Sequence, residues 1–110
     1  MKTPDRWIVV KITGFEMPLY KVFATWYGGY LGSDSWKMNS GIVDVEVPLE
    51  NTYVDFIGYS GSRYRCQIGC YGTSMYSQGV LNEILEKVPE GFRIDIMPED
   101  TNWSNLLNDE

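Results

Sequence analysis

Asp5-Arg-Trp-Ile-Val-Val-Lys-Ile12 is the stretch on which the reading of this chain turns. In a strand, successive side chains point to opposite faces. Trp7 and Val9 then share one face, and Ile8 and Val10 share the other. Both faces are apolar, so this strand is central to its sheet. Gly14 to Pro18 turns the chain, and Tyr20 to Tyr27 reads as a second strand. Its Tyr20, Val22, Ala24 and Trp26 face is expected in the core. Its Lys21, Phe23, Thr25 and Tyr27 face is half aromatic and half polar, and Phe23 and Tyr27 make it the expected seam of an oligomer.

Period-two alternation continues downstream. Trp36 to Asn39 and Ile42 to Val47 read as short strands joined around Ser40-Gly41, with Val43, Val45 and Val47 alternating against Asp44 and Glu46. Thr52 to Tyr59 and Arg63 to Ile68 form a hairpin across Ser60-Gly61-Ser62. Between Met75 and Val88 the period changes. Val80, Leu81, Ile84, Leu85 and Val88 form one helical stripe, Ser74 or Ser77 supplies the cap, and Pro89 is the stop. Phe92 to Met97 is a last strand, and Asp100 to Leu107 a terminal turn or short helix docking through Trp103, Leu106 and Leu107. The predicted class is α+β: a twisted, mainly antiparallel sheet of about five to seven strands with one amphipathic helix packed on a face.

The 110 residues are expected to form a single domain, 1–110. The formal charge is −6, unevenly spread: residues 1–81 carry seven Lys/Arg and seven Asp/Glu, whereas residues 82–110 carry two bases against eight acids, Asp109 and Glu110 among them. No basic footprint supports binding to double-stranded DNA. The longest early apolar run, Trp7 to Val10, is too short for a signal peptide or a membrane span. The expected location is therefore cytoplasmic. Cys66 and Cys70 are expected as free thiols, because two thiols cannot complete a tetrahedral zinc site and a reducing cytosol disfavours a disulfide.

No histidine occurs, which excludes Ser-His-Asp and Cys-His nucleophilic chemistry within the chain. No carboxylate is set apart from its neighbours as acid–base catalysis requires. The expectation is a protein that is not an enzyme and uses no metal or cofactor. Two features suggest binding instead. Trp26-Tyr-Gly-Gly-Tyr-Leu-Gly-Ser-Asp-Ser-Trp-Lys37 gathers four aromatics and three glycines, with Tyr30-Leu31 in the loop. Such rings stack bases or bury a partner's side chain, and glycine permits close approach. Tyr59-Ser-Gly-Ser-Arg-Tyr-Arg-Cys66 places Arg63 and Arg65 on one strand face, in a run free of acids from Asp55 to Glu83. An anion between the two guanidiniums would relieve their repulsion; the alternative is pairing with Asp44 or Glu46 across the sheet. The candidate ligand-binding set is Trp26, Tyr27, Tyr30, Trp36, Lys37, Tyr59, Arg63 and Arg65.

Thr3-Pro-Asp-Arg-Trp-Ile-Val-Val-Lys11, Tyr20 to Ile42, Tyr59 to Cys66 and Tyr71-Gly-Thr-Ser-Met-Tyr76 resemble small uncharacterised proteins of tailed (T4-like) bacteriophages. The resemblance implies a phage accessory protein made in the cytoplasm of the bacterial host, in a setting where small proteins redirect host machinery or blunt immunity. On that footing the expectation is a counter-defence homo-oligomer that captures a small anionic nucleotide ligand. The alternatives are inhibition of a host protein through an aromatic and acidic surface, or a virion or assembly role.

Overall fold

The computed structural model describes residues 1–30 and 32–108, so Leu31 and the acidic pair Asp109 and Glu110 lie outside the described residues. Within them the chain is α+β, with antiparallel strands and one α-helix. It runs β1 (Arg6–Thr13), β2 (Leu19–Trp26), β3 (Ser35–Met38), β4 (Ile42–Glu46), β5 (Tyr53–Gly58), β6 (Arg63–Gln67), α1 (Met75–Glu86) and β7 (Arg93–Ile96). A 3₁₀ turn, Trp103–Asn108, follows.

The expected single sheet is two. One has the order β3-β2-β1-β7 and the other β4-β5-β6. They pack face to face, and α1 covers the outer side of the larger sheet. Strand β1 lies at the centre of this arrangement. Trp7 and Val9 meet Val54, Phe56, Tyr64 and Cys66 of the small sheet, together with Trp103 and Leu106 of the 3₁₀ turn. Ile8 and Val10 pack with Phe23 and Leu81 under the helix. Strand β2 is buried on both sides too: Phe23 and Thr25 are fully covered. Phe23 therefore cannot serve as an oligomer seam, because the helix layer already occupies that face.

The chain changes sheets at Asn39. Its N–H donates to the Val22 carbonyl at 3.1 Å, and its buried side-chain Oδ1 accepts the Val22 N–H at 2.9 Å. This reciprocal pair ends β3 and releases the chain across the core. Gly41 completes the crossing with φ of 136°, and a Cβ there would sit 2.9 Å from Leu19 Cδ1. A second side chain repairs the ladder between β1 and β7. The Tyr71 hydroxyl accepts the Val9 N–H at 3.2 Å and donates to the Met97 carbonyl at 2.5 Å. Burial pushes this phenol up to about 12, so it remains a donor at neutral pH.

The helix begins at the Ser74 cap. Ser74 Oγ accepts the Ser77 N–H at 3.1 Å, and Ser77 Oγ accepts the Ser74 N–H at 2.9 Å. This is a capping box with serine in the place glutamate usually takes. Ser77 and Leu81 are the buried residues of the helix. It stops at Glu86, two residues before Val88, because Pro89 restricts the residue that precedes it.

Replacing Asn39 with Ala removes the acceptor for a buried Val22 N–H. The expected cost is about 1–3 kcal/mol of unfolding free energy in urea titration. A loss below about 0.5 kcal/mol, the range of an ordinary surface substitution, would show that the crossover does not depend on this pair.

Candidate functional site

The aromatic and arginine residues singled out in the sequence do not converge. Strand β6 alternates Tyr64 and Cys66 into the inter-sheet core, so Arg63 and Arg65 stand on the outer face of the small sheet. Trp36 stacks on Phe23 with centroids 5.4 Å apart, on the helix side of the large sheet. Both sheets therefore lie between Trp36 and the arginine pair. Tyr59 sits in the β5–β6 turn, its N–H bonded to the Gly41 carbonyl beside Leu19 at the start of β2. Trp26, Tyr27 and Tyr30 leave from the opposite end of β2. Trp26 is half-buried against the inter-sheet core, whereas Tyr30 is almost completely exposed and Lys37 is exposed on edge strand β3. Asp5 and Asp34 hold the base of this hairpin, accepting the N–H groups of Tyr27 at 2.8 Å and Gly28 at 3.0 Å.

The arginines are not unopposed. Asp55, on the neighbouring strand, is 2% exposed and lies between them. Arg65 grips it with two bonds of 2.9 Å, from Nε to Oδ1 and from Nη2 to Oδ2. Arg63 Nη1 donates to Asp55 Oδ2 at 2.7 Å and to Glu46 Oε1 at 3.0 Å. Arg65 also covers the Tyr53 ring, 4.0 Å from its centroid. The hydrogen bond from Arg65, aided by that from Arg63, holds the Asp55 carboxyl below its ordinary 3.8 despite burial. The anion that the guanidiniums require is thus supplied by the fold. Asp44 is not part of the cluster. The hairpin register pairs Asp55 with Arg65, so the short Ser60-Gly61-Ser62 connection already carried the signal that identifies this carboxylate.

Cys66 and Cys70 are free. Burial pushes the Cys66 thiol up, which makes it a poor nucleophile at neutral pH. Among the described residues no three His, Cys, Asp or Glu side chains gather to hold a metal ion. No helix among them is long and apolar enough to cross a membrane.

Concave surface lies elsewhere. A groove of about 370 Å3 runs along α1, lined by Trp36, Val80, Glu83, Ile84, Lys87, Val88, Pro89 and Ile94. It shares Val88, Pro89 and Ile94 with a more apolar hollow of about 260 Å3 formed with Ile12, Phe15, Leu19, Lys21 and Phe92. Of the sequence-derived set, only Trp36 enters this surface. The helical stripe could have revealed the rest, since Val80, Ile84 and Val88 form one flank of it and a helix so short cannot cover four strands. A third concavity, about 720 Å3, is lined by Asn102, Asn105 and Asn108 with Tyr20, Met97, Thr101 and Leu106. Asn105 and Asn108, three apart, share one side of the 3₁₀ turn, which has three residues per turn, and Asn102 precedes it. The chain matches no known protein family, no curated protein and no solved structure.

Changing Arg63 and Arg65 together to Ala leaves Asp55 buried without its cations. The expected result is a clear fall in the urea unfolding midpoint, smaller than for a fully enclosed pair because both guanidiniums are partly hydrated. The pH dependence has a defined sign. A depressed carboxylate contributes stability that is present above 3.8 and is lost as pH falls through the lower folded value. Thermal melts below pH 4 should therefore fall more steeply for the unaltered protein than for Asp55→Asn. Parallel slopes would mean that the cluster contributes nothing to acid stability.

Proposed function

We propose that this chain is a non-catalytic binding protein that holds another protein in the groove along α1. The observation that carries the reading is Trp36. Its ring is fixed by stacking on Phe23 yet stays 39% exposed at the groove. A rigid aromatic at the rim of an apolar channel is the usual centre of an interface. Glu83 and Lys87 both line the channel, so its charge is balanced and its character is set by Val80, Ile84, Val88 and Ile94. The fitting occupant is a protein segment that presents an apolar anchor to Trp36. The resemblance to small phage proteins gives the setting: an accessory, counter-defence protein blocking a host protein in the bacterial cytoplasm. Capture of an anionic nucleotide is the weaker reading, because Asp55 and Glu46 already hold the phosphate-binding half of its proposed site.

The reading is tested by affinity capture from bacterial lysate with three proteins in parallel. The unaltered chain should retain a stoichiometric protein partner, and Tyr59→Ser should retain it equally. Trp36→Ala, verified as folded by near-ultraviolet dichroism, should bind it roughly 30-fold more weakly, the effect of losing an aromatic anchor worth ~2 kcal/mol. Equal capture by Trp36→Ala contradicts the groove. A melting shift with cyclic or linear nucleotides, in place of a protein partner, supports the nucleotide reading instead.

A further inference from the structure

Strand β7 closes the large sheet on one side, pairing with β1 and with no other strand among the described residues. The Met97 N–H donates to the Val9 carbonyl. In an antiparallel ladder main-chain groups alternate in direction, so residues 93, 95 and 97 turn theirs toward β1. Those of Ile94 and Ile96 then point outward from the sheet. Ile96, on the helix face beside Val10 in the register, leaves 45% of its surface exposed. On the opposite face Arg93 and Asp95 pair with each other at 2.9 Å in the open, at 76% and 43% exposure.

We infer that β7 is the pairing edge for a second copy of this chain, added antiparallel and related by a two-fold axis through Ile94. Outward-facing groups on even-numbered residues limit the possible registers, and charge chooses among them. With Ile94 opposite the partner's Ile94, Arg93 faces the partner's Asp95 and Asp95 faces the partner's Arg93. Phe92 meets the partner's Ile96 on the apolar face. The two Ile94 residues exchange backbone bonds, and each Ile96 N–H reaches the partner's Phe92 carbonyl; the Phe92 N–H is already committed to Pro89. Shifting to the next register sets Asp95 against the partner's Asp95, and like charges directly opposite repel. The two-fold closes, so a dimer forms rather than a filament. It also keeps both helices on one side of a continuous sheet.

The other edges lack this complementarity. Strand β3 carries Lys37 as its one charged residue, so no register sets opposite charges against each other within it. Strand β4 is interrupted by an irregularity between Ile42 and Asp44. The edge of β6 is already bridged by Lys2, which bonds Arg63 and Arg65 main-chain groups at 2.8 and 2.7 Å.

Sedimentation of charge-reversed variants tests the pairing. The unaltered protein should pass from one-chain to two-chain mass as concentration rises toward about 1 mM, the range of a weak association. Arg93→Asp sets Asp against Asp, and Asp95→Arg sets Arg against Arg; each alone should dimerise at least tenfold more weakly. Mixed in equal amounts, the two variants should form a heterodimer, since each then presents what the other lacks. Near-ultraviolet dichroism would confirm that both single variants are folded. One-chain mass for the unaltered protein throughout, unchanged dimerisation of either variant, or failure of the mixture to associate would overturn the inference.

Discussion

Strand β1 is covered on both faces, and the rest of the molecule follows from that constraint. Trp7 is the largest side chain involved. Its ring lies 4.7 Å from Tyr71, 5.3 Å from Trp103 and 5.6 Å from Phe56, while its Nε1 donates to the Gln67 carbonyl at 2.8 Å. One residue thus gathers the small sheet, the loop before α1 and the 3₁₀ turn. Ile8 and Val10 recruit the helix on the other side. Complete burial of side chains of this size stabilises by ~1.5–3 kcal/mol each. Both flanks of β1 are also paired, to β2 and β7.

The small sheet meets a different requirement. One face joins the core and the other is outside, yet Asp55 is buried on the outer face. A carboxylate taken out of water needs counter-charges and hydrogen bonds. Arg63 and Arg65 supply both. The cluster spends on the fold the two guanidiniums that otherwise offer themselves to a ligand. What remains available for recognition is shape: the groove beside α1, where a short helix leaves part of the large sheet uncovered. The proposed function accordingly rests on apolar contact around Trp36 rather than on captured charge.

Most of the elements were legible in the sequence because alternation and the helical stripe are local signals. The strand from Arg6 and the helix from Met75 lie where their periodicity places them. The division into two sheets was not legible. It depends on Asn39 bonding back to Val22, and a single buried polar residue leaves no periodic trace. The Lys21, Phe23, Thr25 and Tyr27 face of β2 reads as half polar because Lys21 and Thr25 are polar by type, although the structure buries Thr25 completely. Arg63 and Arg65 were correctly placed on one strand face. Pairing with Glu46 across the sheet is one of the two alternatives the sequence offers, and Arg63 makes it; the buried partner Asp55 carries no local signal, though the hairpin register places it opposite Arg65. The aromatics clustered in sequence divide between opposite faces of the sheet in space, as neighbours in a strand must.

Native-state hydrogen exchange on dilute protein tests the central role of β1 most directly. The amides of Ile8, Val9 and Val10 should exchange only through global unfolding, with protection equal to the full stability measured by denaturant. Those of β3 and the 3₁₀ turn should open locally and exchange far sooner. Exchange of the β1 amides at the rate of the edge strands, well below global stability, would show that one of its two covering layers detaches independently and would contradict the account.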